Sequence, residues 1–308
     1  MSPIRTLLFE PVAAWRRAER PWRIAYMVGV TLVLLGLAHG IAWLFVGGAW
    51  KGPVSLRKPF SFGMSFGLTT ITLAWFADRL RLGRTAGWAL LLPIAVANAT
   101  EVVWVSLQRA RSVASHFNFA TPLDEALYQM MGAGAIMVSA LATVALTALA
   151  FRRRTADPAL TLAIRIGLVL LLIAMIGGGV MISVGNARAE LGQTHNLVQW
   201  GAAGNMKVTH ALGIHGIQVL SGLALWLSAT AMTAATRTRL IKIAAIGYTG
   251  LLVAGTLQWL DGRALTQVGW SDGIVSVASI VTLTAVVVTV LRATPSRTPV
   301  THAGEIRA

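Results

Sequence analysis

The 308-residue chain contains no cysteine. Disulfides, thiolate metal sites, iron–sulfur clusters and a cysteine nucleophile are therefore excluded. Charge is scarce too: Asp, Glu, Lys and Arg together make up 12% of the chain, against roughly 25% in a soluble globular protein. Acidic residues are especially few, 11 against 26 Lys and Arg, for a net charge of +15. An excess of this size is shared by nucleic-acid binders. Here, however, the basic residues fall in short patches between apolar blocks, where membrane topology accounts for them. No Walker loop, Gly-rich dinucleotide turn, HExxH or Ser nucleophile elbow is found, which argues against ATP-driven transport by this chain alone. No soluble domain, low-complexity run or internal repeat stands out.

What the chain has instead is long apolar blocks. Hydrophobic residues make up 56%, and they come in runs rather than stripes. A transmembrane helix needs about 20 such residues at 1.5 Å rise each. Eight segments meet that requirement: 25–47, 61–80, 86–107, 125–151, 160–185, 207–233, 239–260 and 270–291. The segment 61–80 is the weakest, being short and rich in Gly, Ser and Thr. None alternates like a barrel strand, so the expected fold is all-α, a polytopic membrane helix bundle. Thr121-Pro122-Leu123-Asp124 reads as a capping box opening the fourth span, with Thr121 as N-cap and Asp124 at the third helical position.

Orientation follows from Lys and Arg. With both termini inside, 17 of the 26 basic residues fall on the inner side and eight in the outer loops. Arg165, in the fifth span near its inner end, can snorkel. All 11 tryptophans then fall at span ends, where interfacial aromatic belts belong. The expected location is a cell inner membrane, with the lipid bilayer as partner and no nucleic acid. Residues 1–24 hold Arg5, Arg16, Arg17, Arg20 and Arg23 with short apolar runs. They read as a basic cytoplasmic tail, or a helix lying on the membrane, rather than a signal peptide. Residues 292–308 read as a disordered cytoplasmic tail.

Ionisable residues inside spans are costly and are functional candidates by default. His39 in the first span, Glu101 in the third and His215 in the sixth all lie about 10–12 Å from the outer ends. His210 sits about one turn shallower, and His116 and His195 fall in outer loops. Five of the six histidines therefore lie on the outer half, leaving His302 in the C-terminal tail. On the third span Asn98, Glu101 and Gln108 share a stripe; on the first, Gly36, His39, Gly40 and Trp43 do. Those glycines admit close approach of a neighbouring helix or a flat cofactor. Gly177-Gly178-Gly179 and Pro93 are candidate helix breaks near a substrate site.

Three readings follow. In the first, His39 and His215 are axial ligands of a haem, or His39, His210, His215 and Glu101 hold a transition metal, giving a membrane redox protein. In the second, Glu101 and the histidines form the relay of a proton-coupled transporter of a small, anionic solute. In the third they are a hydrogen-bond network in a non-catalytic structural or accessory protein. The outer loops supply further candidates. Arg57, Lys58, Arg109, Arg111 and His195 form a substrate mouth for a small molecule arriving from outside. Glu101, His116 and Asn118 are the candidate catalytic groups. Eight spans with histidines near the outer surface resemble haem A synthases and b-type cytochromes at the level of architecture. Those families place haem-ligating histidines in pairs on several helices, whereas the fourth, fifth, seventh and eighth spans here have none.

Overall fold

The computed structural model describes residues 12–293. His302, the first 11 residues and most of the C-terminal tail lie outside the described residues. Among the described residues seven helices are long and apolar enough to cross a membrane: α1 (Arg20–Val46), α2 (Arg57–Arg79), α3 (Arg84–Ala110), α5 (Pro158–Glu190), α6 (Met206–Ser228), α7 (Ala234–Leu260) and α8 (Trp270–Leu291). The fourth expected segment is instead assembled from pieces, of which Ile136–Arg152 is a shorter apolar helix. Pro122–Gln129 and Ile136–Arg152 are joined by a π-helical stretch, Met130–Ala135, and the three are together called α4. The weak member of the set is therefore the fourth span rather than 61–80. The protein is an all-α, multi-pass membrane bundle.

Why 61–80 looked weak is visible in its packing. Its small residues are the face on which α1 lies. A Cβ on Gly63 would sit 2.6 Å from Gly36 Cα, and one on Gly36 would sit 2.9 Å from Met64 N. Gly29 and Gly67 meet in the same way. In lipid, where burial of apolar surface gives helices no advantage over contact with acyl chains, such close backbone approach is what holds them together. The α5–α6 hairpin repeats the device, with Gly213 against Ala174 and Leu170 and Gly167 against Ile217. The outward faces of α1 and α8 stay apolar and exposed, with Leu34, Ile41, Leu44, Ile274, Val277 and Val281 among them, as a lipid-facing surface requires.

Helix α3 packs against α1, α2 and α4; α4 against α5; and α2 against α6. The third span thus lies inside the bundle. Helix α6 stops at Ser228, five residues before the expected end. There the Ser228 and Thr230 hydroxyls donate to the Leu225 and Leu227 carbonyls and compete with the helix ladder. Helix α5 runs unbroken through Gly177-Gly178-Gly179, so that triplet is not a helix break. Gly178 instead makes room for the His210 ring, whose Cε1 would lie 3.0 Å from an added Cβ. Pro93 follows a π-helical stretch, Gly87–Leu91, one way a helix accommodates a missing N–H. Arg165 reaches across to the last turn of α4, donating to the carbonyls of Ala150, Phe151 and Arg153 at 2.9–3.1 Å. It caps that helix as well as sitting near the inner boundary.

Thr121 caps α4 as expected, its hydroxyl accepting from Asp124 N at 3.1 Å. Asp124 closes only a variant of the box. Its Oδ2 accepts from the Thr121 hydroxyl at 2.9 Å, and its Oδ1 accepts from Arg111 at 2.6 Å and Gln108 at 3.1 Å. These bonds staple the ends of the 111–121 loop and fix where His116 falls. They also hold the Asp124 carboxyl below its ordinary range, with Gln108 the largest cause.

Candidate functional site

The polar stripe on α3 is the backbone of the site. Asn98, Glu101 and Gln108 are all fully buried, at 1%, 0% and 1% exposure. The two outer members are satisfied. Asn98 donates to Thr70 on α2 at 2.8 Å and accepts from Ser139 on α4 at 3.1 Å. Gln108 bonds Asp124 and Arg111. Glu101 alone has no hydrogen-bond partner on either oxygen. Its nearest polar neighbour is His116, whose Nε2 stands 3.3 Å from Oε1, within ion-pair reach but outside good hydrogen-bond geometry.

His116 is delivered by the stapled loop. Ser112 and Phe117 adopt positive φ, 58° and 56°, conformations that cost non-glycine residues about 1–2 kcal/mol each. They are held because Phe117 packs onto Gly185 of α5, where any Cβ would collide with its ring, and because Asn118 braces the loop. The Asn118 amide donates to Ala114 O at 3.0 Å and its carbonyl accepts from Ala120 N at 3.2 Å. Asn118 is thus a loop-shaping residue, not one turned to the site. The His116 ring sits among Phe62 of α2, Phe117 and Tyr128 of α4, with centroids 5.5–6.1 Å apart. Its Nδ1 lies 3.1 Å from the Ser115 hydroxyl. Burial pushes the imidazole below its ordinary pKa, and the Lys58 charge adds to that effect while Glu101 opposes it. A histidine in this setting is neutral at pH 7.

Cations surround the pair from above. Lys58, one turn before Phe62 on α2, lies in the electrostatic field of Glu101, Lys207 of α6 and Arg57. The Arg57 guanidinium donates to Trp50 O at 3.0 Å, so its position is fixed. Tyr128 and Asn186, joined by a 2.7 Å hydrogen bond, form the wall on the α4–α5 side. Lys207, Tyr128 and Asn186 were not among the sequence candidates. Tyr128 was the most legible of them, being one of only three tyrosines in the chain and lying within a span.

Other candidates go elsewhere. Arg111 is consumed by Asp124 and Gln108 and belongs to the loop staple rather than the mouth. Arg109 lines a surface hollow with Lys51, Pro53 and Ser55. His195 is exposed in the outer loop. His39 donates from Nδ1 to Leu35 O of its own helix at 2.8 Å. His210 donates from Nδ1 to Ala174 O of α5 at 2.7 Å, a link between α5 and α6. Half-buried His215 forms no ion pair with Glu101 among the described residues.

The metal set of His39, His210, His215 and Glu101 is therefore not assembled. Among the described residues no three His, Asp or Glu side chains gather closely enough to hold an ion. Nor does a haem fit the glycine face of α1. Gly36 and Gly40 are covered by α2, with Met64 N and the Phe60 ring 2.9 and 2.8 Å from where a Cβ would stand. The close approach offered by those glycines is taken by a helix. Comparison with protein-family models, curated proteins and solved structures gives no match.

Proposed function

We propose that this protein is a proton-coupled carrier of a small solute, and that the Glu101–His116 pair is its proton site. The observation that carries this reading is the buried Glu101 carboxylate, which accepts no hydrogen bond among the described residues and has only the His116 imidazole within ion-pair reach. Neighbours on the same helix face are fully hydrogen-bonded, so the surroundings are able to satisfy a polar group there, yet both Glu101 oxygens are left bare. Leaving a buried acceptor unpaired costs about 1–3 kcal/mol. Such a cost is retained where the group must exchange its partner, as membrane carboxylates in proton relays do. His116 at 3.3 Å is the natural donor and acceptor for that exchange, since a neutral imidazole can take a proton on one nitrogen and release one from the other. The excess of Lys and Arg at the opposite ends of the spans supports a site on the outer half of the bilayer. Redox chemistry has no comparable support, because among the described residues no three His, Asp or Glu side chains gather to hold a metal.

The test uses purified protein in proteoliposomes with a pH dye inside. Amino acids, sugars, organic acids and inorganic phosphate are added outside one at a time. At least one class should drive proton uptake in the wild type and not in Glu101→Gln. If every solute leaves the internal pH unmoved, or if Glu101→Gln behaves as wild type, the proposal fails.

A further inference from the structure

We infer that the ligand of this site is a small anion bridging Lys58 and Lys207; the inference rests on the carrier reading and names its substrate class. Lys58 and Lys207 are each the second residue of a helix, α2 and α6. Those helices come from different hairpins and pack on one another. Both lysines therefore stand at a helix start, in the positive potential of the helix dipole; their own N–H groups are already taken, by Ser55 O and by the Asn205 side chain. Neither forms a hydrogen bond or ion pair through its ammonium among the described residues. With Arg57 beside them they make three basic side chains, and among the described residues Glu101 is the one acidic group whose field reaches Lys58.

Arg57 and Lys58 are half-buried and Lys207 is exposed beside them; like charges gathered there repel one another, and an anion relieves that repulsion. Glu101, fully buried and without a hydrogen bond on either oxygen among the described residues, is the second sign of a missing ligand, one that brings a proton with it. The groups facing this space are Arg57 and Lys58 from α2, Glu101 from α3, His116 from the loop, Tyr128 from α4 and Lys207 from α6. A monoanion arriving with one proton leaves their summed charge unchanged. That makes joint binding cheaper than binding either one alone. Because the lysines sit on different hairpins, the anion would also tie together two parts of the bundle, a contact able to couple binding to closure.

The experiment is thermal unfolding of the purified full-length protein in detergent, titrated with sodium acetate, sodium lactate and sodium phosphate. Sodium chloride holds ionic strength constant, and glucose and choline chloride serve as neutral and cationic controls. At least one of the three anions should raise the midpoint saturably. Its apparent affinity should fall about tenfold or more in Lys58→Gln and in Lys207→Gln, the loss of one charge-assisted hydrogen bond. Lys58→Arg, which keeps the charge, should retain binding and shows that the site still folds. The inference is overturned if none of the anions shifts the midpoint, if both Gln variants bind as wild type, or if only the controls stabilise. Saturable anion binding that is lost in the Gln variants but equal at pH 6 and pH 8 would uphold the anion and count against the proton coupling.

Discussion

Replacing Glu101 by methionine should make the protein more stable and inactive at once. Methionine is close in size to glutamate and bends to fill irregular space. The substitution removes two buried oxygens that have no hydrogen-bond partner. Relief of one fully unpaired acceptor is worth about 1–3 kcal/mol. Against it stands the loss of the His116 contact at 3.3 Å, whose oblique geometry makes it worth less than the roughly 0.5–1.5 kcal/mol of a good bond. The net expectation is stabilisation by about 1–2 kcal/mol. For a chain of 308 residues that is a rise in midpoint of about 2–3 °C. Tryptophan fluorescence or size-exclusion thermostability in detergent measures it, alongside solute-driven proton uptake in vesicles. A midpoint lowered by several degrees would refute the reasoning, because it would mean that Glu101 is a bonded structural member like Asn98 and Gln108.

His116 gives a pH signature. Its folded pKa is depressed, so between that value and about 6.5 the unfolded chain binds more protons than the native one. Stability should therefore fall as pH drops below about 6.5, and His116→Asn should flatten the slope between pH 5 and 6.5; an unchanged slope would remove His116 from the account. Asp124, whose carboxyl is also depressed, loses its contribution only below its unfolded value of 3.8 and does not intrude in that window. Gly63→Ala should destabilise by about 1–2 kcal/mol, since overpacking of about 1–3 outweighs the gain of up to about 1 in helix propensity. Gly222→Ala, where an added Cβ meets nothing within 4 Å, should be neutral or stabilising in the same thermal assay. Arg111→Gln should unlatch the 111–121 loop, seen as faster hydrogen exchange there and reduced proton uptake, with the transmembrane helices still protected.

Much of the bundle was legible because bilayer thickness imposes length on every span, and because Lys, Arg and Trp mark the interfaces. The fourth span was hidden from that logic. Its hydropathy is continuous, while its backbone carries a π-helical stretch at Met130–Ala135 that no periodicity announces. Glu101 was legible as a carboxylate inside a span, and its depth was enough to single it out. Its partner was not predictable from depth. His39 and His215 share that depth, yet His39 bonds its own helix and neither forms an ion pair with Glu101 among the described residues. His116 arrives from a loop whose path depends on the Arg111–Asp124 pair and on the Phe117–Gly185 contact. Contacts between residues far apart in the chain leave no local pattern, which is also why Lys207 and Asn186 escaped notice. The glycines of α1 and α2 could be read as a site of close approach, but the sequence could not say whether a helix or a cofactor would fill it.

The most direct measurement follows solute and proton uptake together in the same proteoliposomes, for wild type and Glu101→Gln. The account expects the two to rise in fixed proportion in the wild type and proton uptake to vanish in Glu101→Gln. Solute uptake without proton uptake in the wild type, or undiminished proton uptake in Glu101→Gln, would contradict it.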